Sequence, residues 1–252
     1  MSTIKTAVIL AAGLGSRLGE ITKNKPKCLV EINDRPILDY QIDFLSANGF
    51  TKIVIVCGYK ADMISNFIRK QNYDIKIEQV YNHHFESTNN IYSLWMAFAR
   101  LRLNEGFLLL ESDLMFEADM LRHFNSDNAI ALNLFDSEIH LGTTATVRPD
   151  GYLKALYLRP NLPVTNPIYK TVNICSFAND SVATLYYLLD LYVRKGDVNI
   201  FYEKVIHEMV VSKNIDFKIV DFSHKWWDEI DNLSDLERVK TILETDSIEL
   251  LA

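Results

Sequence analysis

Apolar residues in the first half of the chain fall into two alternating rhythms. Continuous runs at 7–11 (AVILA), 53–57 (IVIVC) and 107–110 (FLLL) have strand length and no polar position. Such runs predict strands buried on both faces, because a strand with one wet face would alternate. Helical spacing fills the gaps between them. Pro36 opens a segment with Ile37, Leu38, Tyr40, Ile42, Phe44 and Leu45 on one broad face, and Asn48-Gly49 stops it. Residues 62–71 and 119–124 predict short helices, 91–103 a longer helix, and 75–81 and 129–135 two further strands. Buried strands alternating with helices predict an α/β fold, with a mostly parallel mixed sheet flanked by helices.

From about residue 141 the rhythm changes. Segments 143–147 and 152–157 flank Pro149-Asp150-Gly151, which is a hairpin signal. Residues 161–167 hold two prolines and two asparagines and predict a mobile loop. Strands are expected at 171–177 and 217–222, and helices at 180–193, 201–211 and 233–243. No repeat, low-complexity stretch or linker divides the chain, so one domain over 1–252 is expected, with 141–225 as a small second lobe.

Composition narrows the function classes. The 252 residues carry a net formal charge of −7, which argues against a general nucleic-acid binder or a protein docked on anionic lipid. No apolar run approaches the roughly 18–20 residues of a membrane span, and the start lacks the pattern of a signal peptide. Cys28, Cys57 and Cys175 are scattered, so they predict small buried hydrophobes in a reducing cytoplasm rather than a disulfide framework or metal knuckle. The six histidines show no zinc spacing, and the adjacent His83 and His84 are expected at the surface.

The sharpest local feature is Leu10-Ala11-Ala12-Gly13-Leu14-Gly15-Ser16-Arg17, a glycine turn between a buried strand and a predicted helix. Glycines admit positive φ and close approach, so successive N–H groups can converge on phosphate oxygens. A dinucleotide fingerprint would need glycine where Leu18 stands, and the P-loop pattern is absent. Arg17 and Lys25-Pro26-Lys27 supply the positive charge that a triphosphate requires, with Pro26 fixing the chain direction ahead of Lys27.

LAAGLGSR followed by KPKCLVEI resembles the nucleotidyltransferases that join a nucleoside monophosphate to a phosphorylated acceptor. Asn89-Asn90-Ile91-Tyr92-Ser93-Leu94, Glu111-Ser112-Asp113 and Asp228-Glu229-Ile230-Asp231 resemble the branch that includes bacterial phosphocholine cytidylyltransferases of surface-glycan pathways. The resemblance implies a Rossmann-like fold, CTP and Mg²⁺, and a small phosphate or phosphonate acceptor. It also implies that 1–140 is the nucleotide-binding core, 141–225 the acceptor-binding lobe and 226–252 a metal-ligand strand with a closing helix. Carried over by position, Leu10 to Arg17 and Lys27 would hold the nucleotide, with Arg17 and Lys27 catalytic and Ala11 and Ala12 under the base. Ser87, Thr88, Asn89, Glu111 and Ser112 complete the implied nucleotide contacts. The stretch Glu86-Ser87-Thr88-Asn89-Asn90 departs from the glycine-containing segment of sugar-nucleotide members, which points away from sugar 1-phosphates. Asp113, Glu229 and Asp231 are the implied metal ligands, and Asn90, Tyr92, Tyr169, Lys170, Trp226 and Trp227 the acceptor candidates, with Trp95 beside them.

The residues also permit plainer roles. Asp113 follows a buried strand at the end where ligands of open α/β sheets collect, but it could equally cap a helix. Glu229 and Asp231 are two apart and share one face of an extended segment, with Asp228 on the other. Asp231 could be an N-cap for 233–243, although Ser234 with Glu237 is a better capping-box match. One of Trp226 and Trp227 is expected in the core, and the other could meet a cationic head group through cation–π attraction. A sugar 1-phosphate nucleotidyltransferase and a non-catalytic nucleotide-sensing module are the alternatives. The retained Arg17, Lys27, Asp113 and Asp231 speak against the second. The expected reaction needs positioning and charge neutralisation rather than a general base, because the acceptor oxygen is already charged.

Overall fold

The computed structural model describes residues 3–136, 142–158 and 167–245. The chain begins with β1 (Thr6–Ala11), α1 (Glu20–Lys23), a small ribbon of β2 (Glu31–Ile32) and β3 (Arg35–Pro36), and α2 (Ile37–Ala47). It continues through β4 (Lys52–Cys57), α3 (Ala61–Lys70), β5 (Lys76–Tyr81), α4 (Asn90–Ala97), β6 (Phe107–Glu111), β7 (Leu114–Phe116) and a 3₁₀ segment, Ala118–Phe124. The second half supplies β8 (Ala129–Leu134), β9 (Thr144–Val147), β10 (Leu153–Tyr157), β11 (Tyr169–Phe177), α5 (Val182–Arg194) and α6 (Glu203–Lys213). It closes with β12 (Lys218–Asp221), β13 (Trp227–Glu229) and α7 (Leu233–Thr245).

Seven strands lie in the order β10-β9-β11-β6-β1-β4-β5, and β8 and β12 complete a nine-stranded sheet. The pairings of β1 with β4 and β6, and of β4 with β5, are parallel. The apolar runs behave as their lack of polar positions requires. Val8, Leu10, Val54, Val56 and Leu109 pack toward α4, α5 and α6, while Ala7, Ile9, Ile53, Ile55 and Leu110 pack toward α2 and α7. After β5 the chain returns to the other side of β1, so the strand order reverses between β1 and β6. That switch point, at the carboxyl ends of the strands, is where an open α/β sheet leaves a crevice.

Two helices are shorter than their sequence periods. α4 ends at Ala97 rather than near 103, because Phe98, Ala99 and Arg100 donate to carbonyls three residues back. Phe98 turns there onto Tyr186 and Phe107, at ring-centroid distances of 4.9 and 6.0 Å. After the glycine turn there is only a 3₁₀ turn, Ser16–Leu18, and the four-residue α1, since Gly19 at φ 58° and ψ −123° breaks the helical path. The hairpin around Pro149-Asp150-Gly151 is present as β9 and β10. The expected loop at 161–167 lies, apart from Pro167, outside the described residues.

Two irregular features carry side chains to the crevice. β13 pairs antiparallel with β7, setting Glu229 opposite Leu114, and the N–H of Ile230 donates to the Asp113 carbonyl at 3.0 Å. That pairing brings positions more than a hundred residues apart into one place. In β11 the register slips between Thr171 and Cys175 around Asn173, whose φ is 60°. A bulge of this kind re-aims a side chain at the cost of ladder hydrogen bonds. The three cysteines are free and buried. Among the described residues, no helix is long and apolar enough to cross a membrane.

Candidate active site

The crevice is a cleft of about 530 Å³ at the switch point. Its first wall is the glycine turn. Gly15 has φ 63°, a region open to glycine at little cost, and a Cβ there would come within 2.9 Å of the Lys27 Cβ. The turn is pinned from below by the Thr22 hydroxyl, which donates to the Gly15 carbonyl at 2.8 Å. Gly58, at the end of β4, is equally constrained, because a Cβ would lie 2.6 Å from the Ala12 carbonyl and 2.8 Å from the Phe85 Cβ. This close packing holds Phe85 beside the turn. Asn82, also on this side, donates to Thr88 and Ser93, both at 3.1 Å, and accepts from the His84 N–H.

At the foot of the turn is a clamp of opposite charges. The Lys27 ammonium donates to Asp113 Oδ2 at 2.6 Å and to Asp231 Oδ1 at 2.7 Å. Arg17 donates to the other oxygen of Asp231 at 2.6 Å. Burial works against the Lys27 charge, but the two aspartates outweigh it and hold its pKa above the ordinary lysine value. One cation thus lies within hydrogen-bond reach of both aspartates, so their oxygens are close enough to share an ion. Hard carboxylate oxygens suit Mg²⁺, which is usually held by one or two carboxylates together with substrate phosphates. Asp113 and Asp231 fit that donor set. Among the described residues, no group of three acidic, histidine or cysteine side chains converges tightly enough to hold a metal by itself. Glu229 is engaged elsewhere.

The far wall comes from the second half. Lys170, 2% exposed, donates to Glu229 Oε1 at 3.1 Å, and Asn173 donates to the same oxygen at 2.7 Å. Thr143 reaches back to Glu203 Oε1 at 3.2 Å. Between the walls, Asn90 donates to Glu111 Oε1 at 3.1 Å and accepts from the Tyr202 N–H at 2.9 Å. Burial pushes the carboxyls of Glu111, Glu203 and Glu229 upward, Glu111 most clearly, with the neighbouring Asp113 and Glu203 adding to that rise. The Lys170 charge opposes the rise at Glu229.

The cleft collects Leu10, Ala12, Gly13, Leu14, Gly15, Ser16, Arg17, Lys27, Thr88, Asn89, Asn90, Glu111, Ser112, Asp113, Lys170, Glu229 and Asp231 from the expected set. Others stand outside it. Ala11 is buried under the turn, and Ser87 is exposed with its hydroxyl on the His84 carbonyl. Tyr92 stacks on Trp95, whose indole N–H donates to Asp190, and Tyr169 packs into the sheet's second apolar layer. Trp226 and Trp227 are both half-buried; both pack against the apolar core, as expected of one of them, and both line a smaller groove adjoining the cleft. Asp231 is no helix cap. Asn232 and Asp235 cap α7 instead, each side chain accepting from the other's N–H, in place of the expected Ser234–Glu237 pair. Asp228 faces away, on Arg238.

Sequence reasoning missed Asn82, Phe85, Ser93, Gly142, Thr143, Asn173 and Phe201, all of which line the cleft. Asn82 directly follows a predicted strand, so its place at the carboxyl edge was readable. Asn173 lies in the middle of one, and nothing in the sequence announces a bulge there.

The profile of the nucleotidyl transferase family matches residues 6–145. Along nearly its full length the chain is similar to two curated proteins. It is 24% identical to a choline-phosphate cytidylyltransferase of Streptococcus pneumoniae, over 96% of this chain and 99% of that protein. It is 27% identical to a CTP:phosphoglutamine cytidylyltransferase of Campylobacter jejuni, over 92% of this chain and 97% of that protein. The fold superposes on an inositol-1-phosphate CTP transferase of T. maritima with TM-score 0.79 at 18% identity, covering 97% of this chain and 98% of that one.

Proposed function

Because the chain belongs to the nucleotidyl transferase family, we propose that it transfers CMP from CTP to a small phosphorylated or phosphonate acceptor that is not a sugar, releasing pyrophosphate. The observation that carries this reading is the clamp at the foot of the glycine turn, where Lys27 and Arg17 meet Asp113 and Asp231. The two full-length relatives, both cytidylyltransferases by name, favour CTP and a non-sugar acceptor.

The residues divide the work by position. The turn from Gly13 to Arg17 lines the cleft, where its backbone N–H groups would bind the triphosphate, and Asn82, Phe85 and Thr88 line the side where the base would rest. An acceptor oxygen, already anionic, attacks the α-phosphorus in line as the bond to the bridging oxygen of pyrophosphate breaks. Lys27 and Arg17 exchange their aspartate partners for phosphate oxygens and neutralise the charge that accumulates on them. Asp113 and Asp231 would hold Mg²⁺, which when bound supplies further charge neutralisation at the phosphates. No side chain needs to remove a proton from the nucleophile.

A pyrophosphate-release assay pairing CTP, UTP, GTP, ATP and dTTP with small phosphates, phosphonates and sugar 1-phosphates tests the reading. Release is expected with CTP and a non-sugar acceptor, and its loss on adding EDTA. Turnover with UTP and a sugar 1-phosphate in its place, or turnover insensitive to chelation, would overturn the assignment of nucleotide or of metal respectively.

A further inference from the structure

The acceptor end of the cleft has a charge balance unlike the nucleotide end. In sheet order the floor runs from β1 through β6 to β11 and β9, so Thr143, Lys170 and Asn173 lie two or three strands from the glycine turn. Three carboxylates gather there, Glu111, Glu203 and Glu229, against the single ammonium of Lys170, which is bonded to Glu229. Glu111 and Glu203 form no ion pair among the described residues. Glu111 receives one N–H from Asn90, and Glu203 one O–H from Thr143. The second oxygen of Glu203, a residue 7% exposed, is buried and makes no well-formed hydrogen bond among the described residues. Asn90 bridges the pair: its amide nitrogen donates to Glu111 and lies near enough to Glu203 to ease that charge as well, while its amide oxygen accepts from the Tyr202 N–H. A buried carboxylate left unpaired is costly, and a cation with N–H donors removes that cost.

We propose that this end of the cleft selects an acceptor whose distal group is a primary ammonium, placed against Glu111 and the Thr143–Asn90 wall that Glu203 backs. The inference rests on the cytidylyl-transfer reading and names the acceptor class for it. A primary ammonium brings both the missing charge and N–H donors. A quaternary ammonium brings the charge but no donor, so the carboxylate oxygens that face it gain no hydrogen bond, and a neutral alkyl end brings neither. Sites built to hydrogen-bond a substrate group discriminate strongly against analogues lacking it. Lys170 donates to Glu229 and to the Thr171 carbonyl, so its ammonium is already engaged and forms no ion pair with Glu111 or Glu203.

The test is kcat/KM of the full-length enzyme with CTP and Mg²⁺ for four acceptors: phosphoethanolamine, 3-aminopropylphosphonate, phosphocholine and ethyl phosphate. At least one primary ammonium acceptor should exceed phosphocholine and ethyl phosphate by on the order of 10²-fold. In Glu203→Gln the ratio of phosphoethanolamine to ethyl phosphate should fall about tenfold, mainly through KM, with calorimetric CTP binding used to verify that the variant is folded. Equal or better use of phosphocholine or ethyl phosphate by the wild type overturns the inference and leaves cytidylyl transfer standing. No reaction of CTP with any acceptor overturns the function proposed above.

Discussion

The two sides of the cleft are built on different principles. On the β1, β4 and β5 side the surface is mostly backbone and small polar groups, shaped by glycines whose conformations leave little choice. On the β11 and β9 side it is buried charge: Lys170, Glu229 and Glu203, linked through Asn173 and Thr143. The contrast follows from what each side would meet. A triphosphate is the same in every nucleotide, and a cradle of N–H groups suits it whatever the base. An acceptor differs from enzyme to enzyme, and discrimination among small molecules is obtained from a few side chains whose partners are incomplete until the right ligand arrives. Between the sides lies the clamp, where a strand pairing brings Asp231 to Asp113.

The largest effects should come from the clamp, because it belongs to both sides. Lys27→Ala and Asp113→Asn are each expected to lower kcat/KM by on the order of 10² or more, as losses of charge stabilisation in a transition state do. The loss should appear with every acceptor alike. Near-normal kinetics in either variant would remove that residue from the reacting centre.

The next effects should separate the two sides. Gly15→Ala forces a left-handed alanine against the Lys27 side chain, a strain of about 1–3 kcal/mol. The expected outcome is roughly tenfold weaker CTP binding by calorimetry with acceptor KM little changed. Asn173→Ala deletes the bond to Glu229 and places alanine at a left-handed φ that asparagine tolerates better, and should raise acceptor KM by about tenfold while leaving CTP binding intact. If each variant disturbed both ligands equally, the division between a backbone side and a side-chain side would be false.

The same division explains what could be read from the sequence. The three apolar runs gave the sheet centre because strands buried on both faces cannot alternate, and the glycine turn was legible because its geometry is set by a few consecutive residues. Asp113 could be placed for the same reason, at the end of FLLLES. The far wall depends on contacts that no local window contains. Asn173 is aimed by a bulge that arises from pairing with β8, and Glu203 is an ordinary first-turn glutamate until Thr143 and Asn90 close over it. Tyr92 and Tyr169 were candidates for the acceptor pocket, yet both pack against the apolar layer beneath the sheet. Helix ends were similarly displaced by tertiary contacts, as at Phe98.

The smallest expected effect belongs to the tryptophans. Trp227 does not line the cleft, but its ring lies 5.7 Å from the Lys170 ammonium and half-covers the approach to it from the adjoining groove. A cation–π contact at a partly exposed ring contributes about 0.5–1 kcal/mol, and Lys170 keeps its stronger partner Glu229 without it. Trp227→Leu should therefore raise acceptor KM by only a few-fold, the equivalent of that energy, with kcat and CTP binding unchanged. A loss as large as that of Asn173→Ala would mean that the ring meets the acceptor itself. The boundary of the acceptor site would then extend past Lys170 into the groove along β13, and a quaternary ammonium resting on that ring would displace a primary ammonium on Glu111 as the favoured head group.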